Sequence, residues 1–297
     1  MRWGDMRPSD NVEDRTGMSG GGGMPLGGGM RLGGGALVVV VIVSLLFGIN
    51  PLQFLGMMED GGPVVAPQQQ PQARPAGTQA PAAAPDPQKD FVRRTVGDTE
   101  DVWTALFEAM GTRYEPPKLV LFSRATASAC GTANSASGPF YCPGDQKVYL
   151  DTAFFRELTN RFGAPGDFAA AYVIAHEVGH HVQNQMGTMR KFDQAAAKMD
   201  SRQRNAMSVR LELQADCYAG VWGYFAAKRN LLEPGDLEEG LRAAAAVGDD
   251  AIQKRSQGYV VPDAFTHGRA EQRARWFRTG FTSGDPRNCN TFAAKDL

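Results

Sequence analysis

The sequence predicts an α+β fold, mainly α with a small β-sheet, behind a single N-terminal transmembrane helix. Three observations carry this expectation. Apolar residues recur at helical spacing through 169–185 and again through 208–229. Two short runs rich in β-branched and aromatic residues, Lys118–Phe122 and Gln146–Asp151, lie between turn signals, as strands of a small sheet would. Residues 36–55 pass without a charge, and about twenty such residues are what a helix needs to cross a hydrocarbon core.

Residues 1–89 read differently from the rest. Residues 1–35 carry glycine runs at Gly20–Gly23, Gly27–Gly29 and Gly33–Gly35 among scattered charges, a composition expected to form a disordered leader. Arg2, Arg7, Arg15 and Arg31 precede the apolar run at 36–55, while Glu59 and Asp60 follow it and the next basic residue is Arg74. By the positive-inside bias the leader stays in the cytoplasm, the run is an uncleaved single-pass signal anchor, and the bulk of the chain is exported. Residues 56–89, rich in Pro, Ala and Gln, make an extended linker. Residues 90–297 suffice for one domain with its own core. The formal net charge of −1, with both signs interspersed, gives no argument for a nucleic-acid partner, and the sequence carries no signal of oligomeric state.

Within the domain, Phe91–Met110 is expected to be one or two helices, stopped by Glu115-Pro116-Pro117. Lys118–Phe122 and Gln146–Asp151 are strands, and Lys147–Asp151 is expected to be the sheet edge on which an extended peptide pairs. Thr152–Phe162 is helical, closed by Gly163 and Pro165; Asp167 then caps a helix running to about Gln185. Residues 191–205 are a further helix or a mobile cover, a long helix follows to about Arg229, and Asp236–Lys254 is another. Cys130, Cys142, Cys217 and Cys289 all fall in the exported part, where an even number favours disulfides. Cys130 and Cys142 bracket a loop rich in Gly, Ser and Asn and are natural partners, which leaves Cys217 for Cys289.

The chemistry gathers in His176-Glu177-Val-Gly-His180-His181. Positions i and i+4 share a helix face, so His176 and His180 can present imidazole nitrogens to one metal ion. Glu177 projects beside that ion, placed to reach a water without being a ligand. Few ligands, an open position and an adjacent base are what catalytic Zn2+ requires. Glu212 and Asp216, again i and i+4, lie on the later apolar helix. Glu212 supplies a third ligand, and Asp216 can accept the second ring N–H of a ligand histidine. The plainer reading is a pair of solvated acidic and histidine-bearing faces. Leu211, Leu213, Ala215, Tyr218 and Val221 oppose it, because they bury the helix and leave its carboxylates in need of a partner. His181, about 100° around from His180, should point elsewhere. His267 precedes a helix with a basic face; it is either structural or a hydrogen-bond donor to an oxyanion, and Arg273 either does the same or pairs with Asp216.

These motifs, together with Asp10-Asn-Val-Glu-Asp14, the Gly-rich leader, the single apolar run, Gly138-Pro-Phe-Tyr-Cys-Pro143 and Thr266-His-Gly268, resemble the bacterial neutral zinc metallopeptidases over nearly the whole chain. The resemblance implies a zincin-like, membrane-anchored zinc endopeptidase of proteins or peptides, held in the bacterial inner membrane with its domain on the periplasmic side. More distantly the pattern is similar to the membrane-associated gluzincins. That likeness makes His176, His180 and Glu212 the zinc ligands, Glu177 the catalytic base and Asp216 a support behind the ligands. It also makes His267 and Arg273 the residues that face substrate, although those relatives carry Pro where Gly268 stands. Metzincins have a third His where this chain has Met186. The competing expectation is a zinc-braced, non-catalytic binding or chaperone-like module; an intact Glu177 opposes it, because a structural site needs no base.

Overall fold

The strands are short: β1 (Val12–Asp14), β2 (Lys118–Phe122), β3 (Ala125–Ser128), β4 (Gly131–Asn134), β5 (Phe140–Cys142) and β6 (Lys147–Asp151). They come from a computed structural model that describes residues 1–17, 86–134 and 137–297. One sheet has the order β1-β2-β6-β5, with β1, β2 and β6 parallel and β5 antiparallel to β6; β3 and β4 form a separate hairpin. The nearly unbroken apolar runs of β2 and β6 follow from burial on both faces. Leu119, Leu121, Val148 and Leu150 pack toward the helices, while Val120, Phe122 and Tyr149 join Ala133 of the hairpin and Cys142 on the other face. The Cys130–Cys142 disulfide pins the hairpin tip to β5.

Among the described residues eight helices stand around this sheet: α1 (Pro87–Ala109), α2 (Phe154–Asn160), α3 (Asp167–Gln185), α4 (Thr188–Ala196), α5 (Ser201–Lys228), α6 (Asp236–Ala246), α7 (Asp249–Gln257) and α8 (Ala270–Ser283). The predicted class, mainly helical with a small sheet, is the observed one. The segment expected as one or two helices is the single helix α1, begun by the Asp86 side chain accepting from the Gln88 N–H, with Pro87 in the first turn. Asp236–Lys254 is two helices, interrupted at Val247 and Gly248. Residues 191–205 divide between α4 and the start of α5, where Asp200 and Gln203 close a reciprocal capping box. Asp167 is not the cap of α3: Gly166 holds that position, and the Asp167 carboxylate instead accepts from the Trp3 indole.

Every residue of α3 from Phe168 to Gln183 is buried, so the helix is a central rod rather than an amphipathic surface element. Helix α5 packs along it, and α8 packs on α5 at unusually short range. A Cβ at Gly280 would stand 1.9 Å from the Cys217 carbonyl oxygen, and one at Gly220 would stand 2.0 Å from that of Phe277. The two glycines let the backbones touch, and that contact brings Arg273 of α8 against Asp216 of α5.

Two expectations need correction. Strand β6 is not an edge: it is paired on both sides, by β2 and β5, so no peptide can add to it. Nor is the start of the chain a disordered leader, since residues 1–17 lie on the domain. Strand β1 extends the sheet through Leu119 N–H to Asn11 C=O and Arg15 N–H to Leu121 C=O, both 2.8 Å. Ser9 and Asn11 donate to the buried Glu100 carboxylate at 2.6 and 2.8 Å. Composition misled here, because this short polar segment packs into a groove built by α1 rather than into a core of its own. A cytoplasmic leader and an exported domain cannot share a sheet. The run expected to span the membrane, 36–55, and the linker 56–89 up to residue 85 lie outside the described residues; among those described, no helix is long and apolar enough to cross a membrane.

Candidate metal centre

Helix α3 carries His176, Glu177 and His180, and α5 carries Glu212 and Asp216; the two histidines and the two carboxylates meet where the helices pack. His176 Nε2 lies 3.3 Å from Glu212 Oε2, and His180 Nε2 lies 3.5 Å from Glu212 Oε1. One ligand atom from each of these three residues falls within 4.8 Å of the other two. Two imidazoles and a carboxylate are the donor set of a catalytic zinc site. All three residues predicted as ligands are therefore brought together.

Both imidazoles are held from behind. His176 Nδ1–H donates to Asp216 Oδ1 at 2.9 Å, which fixes the tautomer and turns Nε2 toward Glu212. Asp216 is fully buried and takes three further bonds: from the Tyr172 hydroxyl, and from Arg273 Nε and Nη2 at 2.8 and 2.9 Å. Arg273 thus lies behind the histidine, buried and paired with Asp216, rather than facing substrate as the resemblance implied; its guanidinium is taken up by Asp216, Tyr172 and the Val247 carbonyl. A buried carboxylate needs such company. Burial raises the Asp216 pKa, but the Arg273 and His176 charges outweigh it and hold the carboxyl below its usual range. For His176, burial opposes the charged ring, yet Asp216 and Glu212 prevail and raise its pKa to about 9. Glu212 is likewise penalised by burial but drawn well below the ordinary carboxylate range by His180, His176 and His267.

His180 Nδ1–H donates to Gln183 Oε1 at 2.9 Å. Sequence reading missed Gln183, although its place three residues after His180 on a fully buried helix face is the available signal. His181 points away, as its angular offset requires: its Nε2–H donates to the Glu115 carbonyl at 2.6 Å, and its Nδ1 accepts from the Tyr141 hydroxyl at 3.1 Å. That links α3 to the edge strand β5. Glu177 is buried and follows His176 directly, outside the cluster of three. His267 enters from the loop before α8. Asp249, at the start of α7, grips its backbone N–H at 2.6 Å and faces its Nδ1 at 3.1 Å. Burial disfavours the His267 cation, but Asp249 overcomes this and raises the pKa.

A family profile described as "Putative neutral zinc metallopeptidase" matches residues 1–292. Uncharacterized protein YpfJ of Escherichia coli is 46% identical over 295 residues, covering 98% of this chain and 99% of that protein. An uncharacterized protein of Mycobacterium tuberculosis is 44% identical over 218 residues, covering 70% of this chain and 73% of its own length. No solved structure matches.

Proposed function

The chain belongs to the neutral zinc metallopeptidase family, whose metal is Zn2+, and from that premise we propose that it is a zinc endopeptidase acting on proteins or peptides outside the cytoplasm. The observation that carries the reading is the His176–His180–Glu212 donor set, with a buried acid, Glu177, next to His176 in the chain and not among the three. Zinc, when bound there, supplies the Lewis acidity that polarises a peptide carbonyl and makes a water acidic enough to attack at neutral pH. The Glu177 carboxylate takes a proton from the attacking water and delivers it to the departing amine nitrogen. His267 keeps Nε2 free for substrate, because Thr266 and Asp249 engage its Nδ1 side, and it donates to the developing oxyanion. Asp216 and Arg273 work as a pair that orients His176.

Substrate binds as an added strand. Strand β5 pairs only with β6 among the described residues, and its Tyr141 hydroxyl reaches His181 and Asn184 of α3, so its outer edge runs beside the metal helix. We read this arrangement, two ligand-bearing helices edged by a short strand, as zincin-like. The two disulfides favour an oxidising, extracytoplasmic location.

The test is Glu177→Gln in the purified chain, assayed on a peptide library beside a zinc measurement. Hydrolysis is expected to fall by roughly 10²–10⁴-fold, the range for a lost general base, with zinc content unchanged. Equal activity in parent and variant would overturn the assignment and leave a zinc-braced binding module as the reading.

A further inference from the structure

We propose that Gln183 and Gln214 are positioning residues for the metal site, a relay that sets the His180 tautomer from a backbone carbonyl near the C-terminus. The proposal rests on the zinc reading above. Gln214 Nε2 donates to the Cys289 carbonyl at 2.9 Å. A carbonyl can only accept, so the Gln214 amide turns Oε1 toward Gln183. Gln183 Nε2 donates to that oxygen at 3.1 Å and to the Leu211 carbonyl at 2.7 Å, again both acceptors. Its own Oε1 is thereby left to accept from His180 Nδ1, so the proton sits on Nδ1 and the Nε2 lone pair faces Glu212. Each link is directional and buried: Gln183 is 0% exposed and Gln214 6%. The far carbonyl is fixed because Cys289 is bonded to Cys217, which lies on the same helix as Gln214. His176 has a carboxylate behind it; His180 has this chain of amides instead.

The experiment is zinc affinity by chelator competition in the full chain, with thermal melts of the metal-free proteins alongside. Gln183→Met removes the acceptor and should weaken zinc binding about 10–100-fold, the cost typical of a lost partner behind a ligand. Gln214→Leu should weaken it in the same direction by a smaller factor. Gln183→Glu keeps an acceptor for His180 and should bind zinc more tightly than Gln183→Met, even while its melting temperature falls. If packing alone mattered, the buried carboxylate would be the worse of the two, and that order would overturn the relay. So would parent-like affinity in Gln214→Leu, which also serves if the Gln183 variants fail to fold. A parent chain that binds no zinc would remove the metal reading and the relay together.

A separate observation carries a second inference: residues 1–17 and residues 86–297 stand on the same side of any membrane the chain meets. The attachment is a built one. Besides the β1–β2 ladder, Ser9 N–H donates to the Arg93 carbonyl at 2.9 Å, and Arg94 donates to the carbonyls of Gly4 and Met6 at 2.8 and 2.7 Å. Glu100, 5% exposed, takes Arg7, Ser9 and Asn11; without the segment its buried charge would lose these three partners. Hydrogen-bonded strands cannot pair across a bilayer, so β1 and β2 share one side of it.

Asp10 and Arg93 form an exposed ion pair at 3.2 Å and suit the test. The four native cysteines are all in disulfides and should stay silent to maleimides. In spheroplasts expressing the full chain, Asp10→Cys and Arg93→Cys should label alike with an impermeant maleimide, and the double variant should cross-link with a short bis-maleimide. Labelling of the two positions from opposite faces, without a cross-link, would overturn the inference.

Discussion

Replacing Gly97 by Ala has an effect whose sign depends on the docked N-terminal segment. Gly97 lies inside α1, where Ala is ordinarily the better residue by about 1 kcal/mol. Here a Cβ would stand 2.1 Å from the Arg7 carbonyl oxygen and 3.1 Å from the Ser9 nitrogen, both backbone atoms that cannot rotate aside. The segment must lift, and the bonds from Ser9 and Asn11 to Glu100 go with it. Hydrogen bonds to a charged group contribute roughly 1.5–3 kcal/mol each, so losing two costs about 3–6 kcal/mol. Setting the helix-propensity gain of about 1 kcal/mol against this leaves a net destabilisation of about 2–5 kcal/mol. Equilibrium urea unfolding of the two proteins measures it, and proteolysis near residue 10 should accelerate in the variant. A Gly97→Ala protein more stable than its parent would refute the docking of residues 1–17, because only an empty groove lets the propensity gain appear.

Three other outcomes follow from the site and the disulfides. With its pKa raised to about 9, His176 is protonated at pH 7 in the metal-free chain, so zinc uptake there should release about one proton, and affinity should rise roughly tenfold for each unit of pH increase up to that value; calorimetry in buffers of different ionisation enthalpy reads it, and proton-neutral binding would count against the Asp216–Glu212 environment. The His267 pKa is raised by Asp249, so its contribution to stability is full below the unfolded-state value and lost as pH rises through the folded one. Asp249→Asn should accordingly lower the imidazole midpoint in an NMR titration and cost stability most on the acid side of that window. Removing the Cys217–Cys289 bridge, which closes 72 residues, should cost more than removing Cys130–Cys142, which closes 12: about 4.4 against about 2.8 kcal/mol by loop entropy. The reverse order in urea unfolding would show that strain or residual structure dominates.

Local spacing determined a good deal here. Two residues four apart on a helix share a face whatever the surroundings, so His176 with His180, and Glu212 with Asp216, were readable as pairs from their numbering. The Cys130–Cys142 pair and the two central strands were legible for similarly local reasons, a loop bracketed by cysteines and β-branched runs between turns, while Cys217–Cys289 followed only as the pair left over. Tertiary structure decided what spacing does not encode. That Glu212 meets both histidines depends on α5 lying along α3, and that Arg273 pairs with Asp216 depends on the Gly220–Gly280 contact. The edge position passed from β6 to β5 because strand order is a long-range property. Gln183 looked like any buried polar residue until Leu211 and Gln214 gave its amide a direction. The N-terminal segment was hardest to read, since its partners Gly97 and Glu100 lie more than eighty residues away and a polar strand acquires meaning only from the groove that receives it.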